Sequence, residues 1–285
     1  MTITLTQPYS FSFNGLTFGG NGSPYQILAV DGLEALPGIR NQDDNRGYAD
    51  GMFSGRDFYG GRTITIIFNT FGADGVSAQT NYNTIQSYLL PQTSGTTPLY
   101  FLMPPSQTEF INARVRGLKT TVDPDYTYGK ITSMVEFFCP NPCYFSNITQ
   151  TLLLEYTSAA GRTYDRIYDL VYGSSTGYKS GTVINNGWAT AYPLITIYGP
   201  ITNPSVGNLT LGDSLDFTCV LTAADVLVID LYNKLITLNG DSARNLLTGG
   251  TWFGAPPGNS VFYINGTFTA DNVTYATIEW NSTYV

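Results

Sequence analysis

The chain has 285 residues, of which 42% are apolar and only 12% charged, with a formal net charge of −8 and no histidine. That length suits one large or two ordinary domains, each able to bury a core, and two is the better expectation. The acidity argues against a nucleic-acid-binding surface, which needs clustered Lys and Arg. The missing histidine excludes Ser-His-Asp and Cys-His catalysis and His-ligated zinc.

The acid excess is shared, with eight basic against eleven acidic residues before residue 146 and five against ten after it. Neither half is therefore a charged tail. Thirty glycines and fifteen prolines are spread along the chain and read as the turns of an all-β protein. The start, MTITLTQPYSFSF, lacks a basic n-region and a continuous apolar run, so no secretory signal is expected. No apolar run approaches the roughly 18 residues of a membrane span.

Taken in order, residues 2–5 and 9–13 alternate like short strands, and Asn14-Gly15 reads as a hairpin turn. Residues 25–30 predict another strand. A long polar stretch follows over residues 36–69, LPGIRNQDDNRGYADGMFSGRDFYGGRTITIIFN. It carries four of the nine arginines, Arg40, Arg46, Arg56 and Arg62, interleaved with Asp43, Asp44, Asp50 and Asp57. Its aromatic content argues against disorder, which is aromatic-poor, so it is expected to order against something. Its end, residues 62–69, sets Ile64, Ile66 and Phe68 on one face against Thr63, Thr65 and Ile67, the period of a half-buried strand.

Residues 77–90 predict the one helix, with Tyr82, Ile85 and Leu89 at helical spacing and Pro91 as its stop. Strands are expected at 99–103, 110–115 and 130–138. Pro140 and Pro142 cannot continue a central strand, so the domain boundary is placed near residue 146, giving domains 1–145 and 146–285. The second domain predicts strands at 148–156, 194–198, 215–221, 226–231, 235–238, 261–264 and 274–280. Short strands with regular turns read as a sandwich or jelly roll.

The GSSTG stretch at 173–177 matches a nucleophile-elbow pattern but lacks both a following helix and a histidine base. Cys139, Cys143 and Cys219 are too few to close a zinc site without histidine, and small buried apolar residues are the simpler reading. Asp123-Pro124-Asp125 opens like a calcium loop, but Thr127 and Tyr128 stand where a ligand and a glycine belong. No carboxylate pair stands out as glycosidase machinery, and no cofactor is expected. Trp188, Trp252 and Trp280 all lie in the second half; a core role is favoured for each, with Trp188 and Trp252 kept as candidate glycan contacts.

Three regions together carry a resemblance. Arg56-Asp57 followed by Tyr59-Gly60-Gly61-Arg62-Thr63-Ile64 resembles the G-R-D-(x)-G-x-R entry into a strand in siphophage tail proteins. Phe137-Phe138-Cys139-Pro140-Asn141-Pro142-Cys143-Tyr144 resembles the end of their first domain. Asn185-Asn186-Gly187, Pro193 to Pro200, Thr202-Asn203-Pro204, Val228-Ile229-Asp230, Thr237 to Gly240 and Pro257-Gly258-Asn259 resemble their second domain. The ordered set spans about residue 25 to residue 280 and is similar to the distal tail protein family of long-tailed phages.

The resemblance implies a mainly β chain of two β-sandwich domains, the first with a single accessory helix and a long loop, the second a galectin-like jelly roll. It implies a homo-oligomeric ring, hexameric in most members, joining the tail-tube protein to the tail-tip hub protein and the receptor-binding protein. Phage DNA would pass through the lumen without specific binding, and an acidic surface suits that passage. The expected location is the virion tail tip, after synthesis in the bacterial cytoplasm, with no membrane contact and no catalytic residues. In this setting Arg40, Arg46, Arg56, Asp57 and Arg62 are expected at a subunit interface. The alternative is a carbohydrate-binding or glycan-cleaving β-sandwich; a tail-tube protein fits less well because of the long second domain.

Overall fold

A computed structural model describes residues 3–91, 93, 95–103, 107–156, 179–268 and 274–285. The chain is mainly β with a single α-helix among the described residues, and it divides into two compact units between Asn147 and Ile148.

In the first unit β1 (Ser10–Phe13) and β2 (Leu16–Gly19) make the expected hairpin. Asn14 and Gly15 have φ of 51° and 90°, the positive pair that a tight two-residue turn requires. Then come β3 (Tyr25–Asp31), β4 (Arg62–Phe71), α1 (Gly75–Tyr88), β5 (Thr97–Leu102), β6 (Glu109–Thr121), β7 (Lys130–Cys139) and the short β8 (Tyr144–Ser146). The antiparallel order is β2-β1-β5-β6-β7-β4-β3, with β8 beside the start of β6. The first part of β6, residues 109–113, pairs with β5, and the part from 114 to 121 pairs with β7. A register shift between Val115 and Gly117 separates the two parts. A bulge bends a strand, so β6 carries the chain from one half of the sheet into the other and the halves face each other. Phe13 meets Phe137 edge-on with centroids 5.0 Å apart, and Phe18 lies 6.2 Å from Phe68. Each buried Phe, Ile or Leu of that core contributes on the order of 1.5–3 kcal/mol.

The alternation expected along β4 and β7 is present, with Ile64, Ile66, Phe68, Val135 and Phe137 buried. The helix starts earlier than its apolar spacing suggests, because Asp74 caps it by accepting from Ser77 N at 2.7 Å. It lies against β4 and β7 through Ile85 and Leu89, and Tyr82 accepts from Thr120 Oγ1 at 2.8 Å. The strand expected at residues 2–5 does not form over its described part. Side chains hold that segment instead: Leu5 N donates to Thr108 Oγ1 at 3.1 Å and Asn147 Nδ2 donates to Ile3 O at 2.9 Å.

The second unit contains β9 (Gln150–Tyr156), β10 (Lys179–Asn185), β11 (Leu194–Tyr198), β12 (Ile201–Asn208), β13 (Asp213–Phe217), β14 (Val226–Asp230), β15 (Leu235–Leu238), β16 (Leu247–Gly250), β17 (Gly258–Phe268) and β18 (Thr274–Trp280). One antiparallel sheet runs β9-β18-β11-β14-β15, and the other runs β10-β17-β12-β13-β16. Ile195, Ile197, Leu227 and Ile229 of the first share one core with Val206, Leu215, Phe217, Phe262 and Ile264 of the second, which makes a two-sheet sandwich. β12 escapes a sequence reading because it holds Pro204. The register shifts between Thr202 and Ser205, so the proline occupies an irregularity where no ladder bond is demanded of it. The stretch expected at 215–221 is broken into β13 and a short Val220–Leu221 strand. The GSSTG stretch at 173–177 lies outside the described residues.

Candidate assembly surface

Residues 36–61, read from sequence as a loop, leave β3 and return to β4 as a two-legged arm. Ile39–Arg40 pairs with Phe58–Tyr59, and Asp44–Asn45 pairs with Met52–Phe53. Gly60 N donates to Gly38 O at 2.7 Å, and Asp43 accepts from Gly55 N at 2.8 Å across the two legs. The arm displays its apolar groups to solvent: Leu36, Ile39, Tyr48, Met52, Phe53 and Tyr59 are all exposed. Exposed apolar groups gathered on one element are a feature that interaction surfaces share.

The arm's cations stack on its aromatics. The guanidinium carbons of Arg40 and Arg56 stand 5.7 and 5.1 Å from the Phe58 ring centroid, and that of Arg46 stands 5.2 Å from Phe53. Among the described residues the one ion pair is Lys130–Asp125 at 2.9 Å, so Arg40, Arg46, Arg56 and Asp57 have no ion-pair partner there. The same ion pair accounts for the Asp123-Pro124-Asp125 motif. Asp123 caps the 3₁₀ turn Pro124–Tyr128 by accepting from Asp125 N, and Asp125 holds Lys130.

Arg62 corrects its expected place at a subunit interface. It is 3% exposed, and its guanidinium is engaged inside its own chain. Nη1 donates to Gly32 O at 3.0 Å, to Ala35 O at 2.7 Å and to Leu33 O, while Nε donates to Pro142 O at 3.2 Å. The group also lies over the Tyr144 ring at 5.7 Å. Arg62 therefore staples the root of the arm to the turn between β7 and β8. Period-two reading places Arg62 on a strand; only the assembled sheet reveals which carbonyls converge on it.

Near the same root, burial and the carboxylate of Glu34 push the Glu109 carboxyl up to about 7. Burial likewise pushes the Cys139 thiol up to about 12, with Arg62 pulling the other way. Cys139, Cys143 and Cys219 are all free thiols, the first of them buried.

In the second unit the three tryptophans separate. Trp280 is buried and donates Nε1 to Ile184 O at 2.9 Å. Trp252 packs against the core with the Arg244 guanidinium 4.9 Å over its ring. Trp188 is 61% exposed and meets Tyr284 edge-on at 4.7 Å, so it offers the more open surface of the two candidate glycan contacts.

The family described as siphovirus-type tail component, C-terminal domain, matches residues 186–284. Across 97% of this chain and 99% of the other, the fold is similar to the crystal structure of SPP1 Dit (gp 19.1), with a TM-score of 0.66 and 15% identity. That protein is described as a paradigm of the hub adsorption apparatus in phages infecting Gram-positive bacteria. A chain of the phage P2 baseplate in its activated conformation with Ca covers 96% of this chain and 98% of its own length, at a TM-score of 0.48 and 11% identity. Comparison with curated proteins returns no match. Residues 186–284 thus match the siphovirus-type tail component, C-terminal domain, and the fold is similar to that of SPP1 Dit over 97% of the chain.

Proposed function

We propose that this protein is a structural virion component of a long-tailed phage tail tip. The observation that carries the reading is the siphovirus tail family match over residues 186–284, and the likeness of the whole fold to a hub adsorption protein supports it. The first domain forms a ring, hexameric by analogy, between the tail tube and the tail-tip hub. The second domain docks the receptor-binding apparatus. The protein is made in the host cytoplasm and comes to lie at the virion tail tip, and DNA crosses the lumen without a specific site. It performs no catalysis in this reading.

The arm is the part that closes the ring. A ring needs a heterologous contact, in which one patch of each copy meets a different patch of the next. Exposed Ile39, Met52, Phe53 and Tyr59 supply apolar area, and Arg40, Arg46, Arg56 and Asp57 supply charge without an ion pair among the described residues. Burying both against a neighbour answers both. Mass measurement on purified protein tests the reading. A discrete multiple of the 31.1 kDa chain supports it, and a monomer at every concentration sinks it.

A second reading, glycan recognition by the sandwich, draws on the openness of Trp188. On a glycan array, loss of a signal in Trp188→Ala supports it. Signals unchanged in both Trp188→Ala and Trp252→Ala remove those residues from consideration.

A further inference from the structure

A pair of arginines on β6 has no role in the fold described so far. Arg114 and Arg116 both lie over one aromatic ring, Phe138, with guanidinium carbons 5.3 and 4.5 Å from its centroid. Neither forms an ion pair among the described residues, and Arg114 Nε is buried without a hydrogen-bond partner. Arg116 is the extra residue of the β6 bulge, between Val115 paired to Phe137 and Gly117 paired to Glu136. Bulges re-aim side chains, and this one brings a second cation onto a ring already occupied by the first. Two like charges gathered on one ring have the composition of a receptor for a carboxylate, which a guanidinium binds in a fork.

The position of the site identifies what fills it. Phe138 pairs with Arg114 on one side and Thr63 on the other, so the site lies at the end of the sheet from which the arm departs. The root of the arm touches it: a Cβ on Gly61 would fall 2.8 Å from the Phe138 ring. Strand order places β6 on one flank of this half-sheet and β3, with the arm, on the other. In a ring built by head-to-tail repetition, the flank that bears the arm on one copy would meet the β6 flank of the next. The arm carries Asp50 at its tip and Asp57 on its returning leg, both exposed and both without an ion pair among the described residues.

We propose that Arg114 and Arg116, held on Phe138, are the acceptor site for the carboxylates Asp50 and Asp57 on the arm of a second copy of this chain. The inference rests on the ring reading and names the surface the arm meets. It is tested on the full-length chain by sedimentation across a concentration series, with thermal melts to verify folding. Arg116→Glu changes an exposed side chain and should raise the concentration needed for half-assembly by about tenfold or more. Adding Asp50→Lys or Asp57→Lys to that variant should restore much of the loss, because the charges are exchanged rather than removed. Lys at position 116 should fall between wild type and Arg116→Glu.

Wild-type assembly that persists unchanged in the Arg114→Gln/Arg116→Glu double variant, while deletion of residues 41–56 abolishes it, overturns the inference and leaves the ring reading standing. A wild type that never assembles overturns both. If Arg116→Glu assembles normally but loses retention on a DNA duplex, the occupant is a phosphodiester and the inference fails.

Discussion

Arg62 shows how one residue can hold a large element in place. Its guanidinium is buried without an ion pair among the described residues; Nη1 and Nε donate to the carbonyls of Gly32, Leu33, Ala35 and Pro142, two sides of the arm's root. Hydrogen bonds to a charged group contribute about 1.5–3 kcal/mol each, and orphaned buried carbonyls add to the loss. Arg62→Met should therefore lower stability in urea unfolding by about 3 kcal/mol or more. Lys should recover only part, since one ammonium cannot serve both the carbonyls held by Nη1 and Pro142 O held by Nε. Glu109 gives the second prediction at this scale. Its carboxyl is raised from 4.5 to about 7 in the folded protein, so the folded state binds the proton more tightly than the unfolded one. Stability is then greatest below about pH 4.5 and falls as pH rises through about 7. Glu109→Gln removes the charged form and should stabilise the protein at pH 8 by about 1–3 kcal/mol, with little effect at pH 4. A Glu109→Gln curve parallel to wild type across this range would refute the assignment.

At the scale of elements the arm matters most. Replacing residues 41–56 by a short turn removes no buried core residue and should leave the melting temperature of the monomer within a few degrees, while abolishing assembly. Charge reversal at Arg56 should weaken assembly without unfolding the chain, because its ring partner Phe58 lies on the arm itself. At the arm's root, Gly32 has φ of +80°, and a Cβ there would lie 2.1 Å from Thr63 O. Gly32→Ala should cost about 1–3 kcal/mol by strain and contact together, read as a shifted denaturation midpoint. The strands and the helix were legible because apolar periods of two and of about 3.6 survive translation into burial, as along β4 and α1. The arm was not legible as a hairpin, since its ladders are only two residues long and bury little, leaving no periodic signal. β12 was hidden by Pro204, whose tolerance depends on a register shift visible only with the neighbouring strand in place.

At the scale of the whole molecule, the proposed ring fixes one further outcome. The native mass should be a closed multiple of the chain, and it should drop to the monomer in the arm deletion. What the amino-acid order determined by itself was the mainly β class, the helix of the first unit, the break after Cys139 imposed by Pro140 and Pro142, and the exclusion of histidine chemistry. Those follow from local rules of backbone geometry and residue type, which need no neighbour in space. The tertiary structure decided which arginine is buried and which are displayed, because burial depends on strands paired across many residues. Arg62 meets carbonyls 27 to 80 positions away, and Arg114 and Arg116 converge on Phe138 only through the register of β6 with β7. Side chains that sequence spacing treats alike are separated by folding into a staple, a display and a pair stacked on one ring.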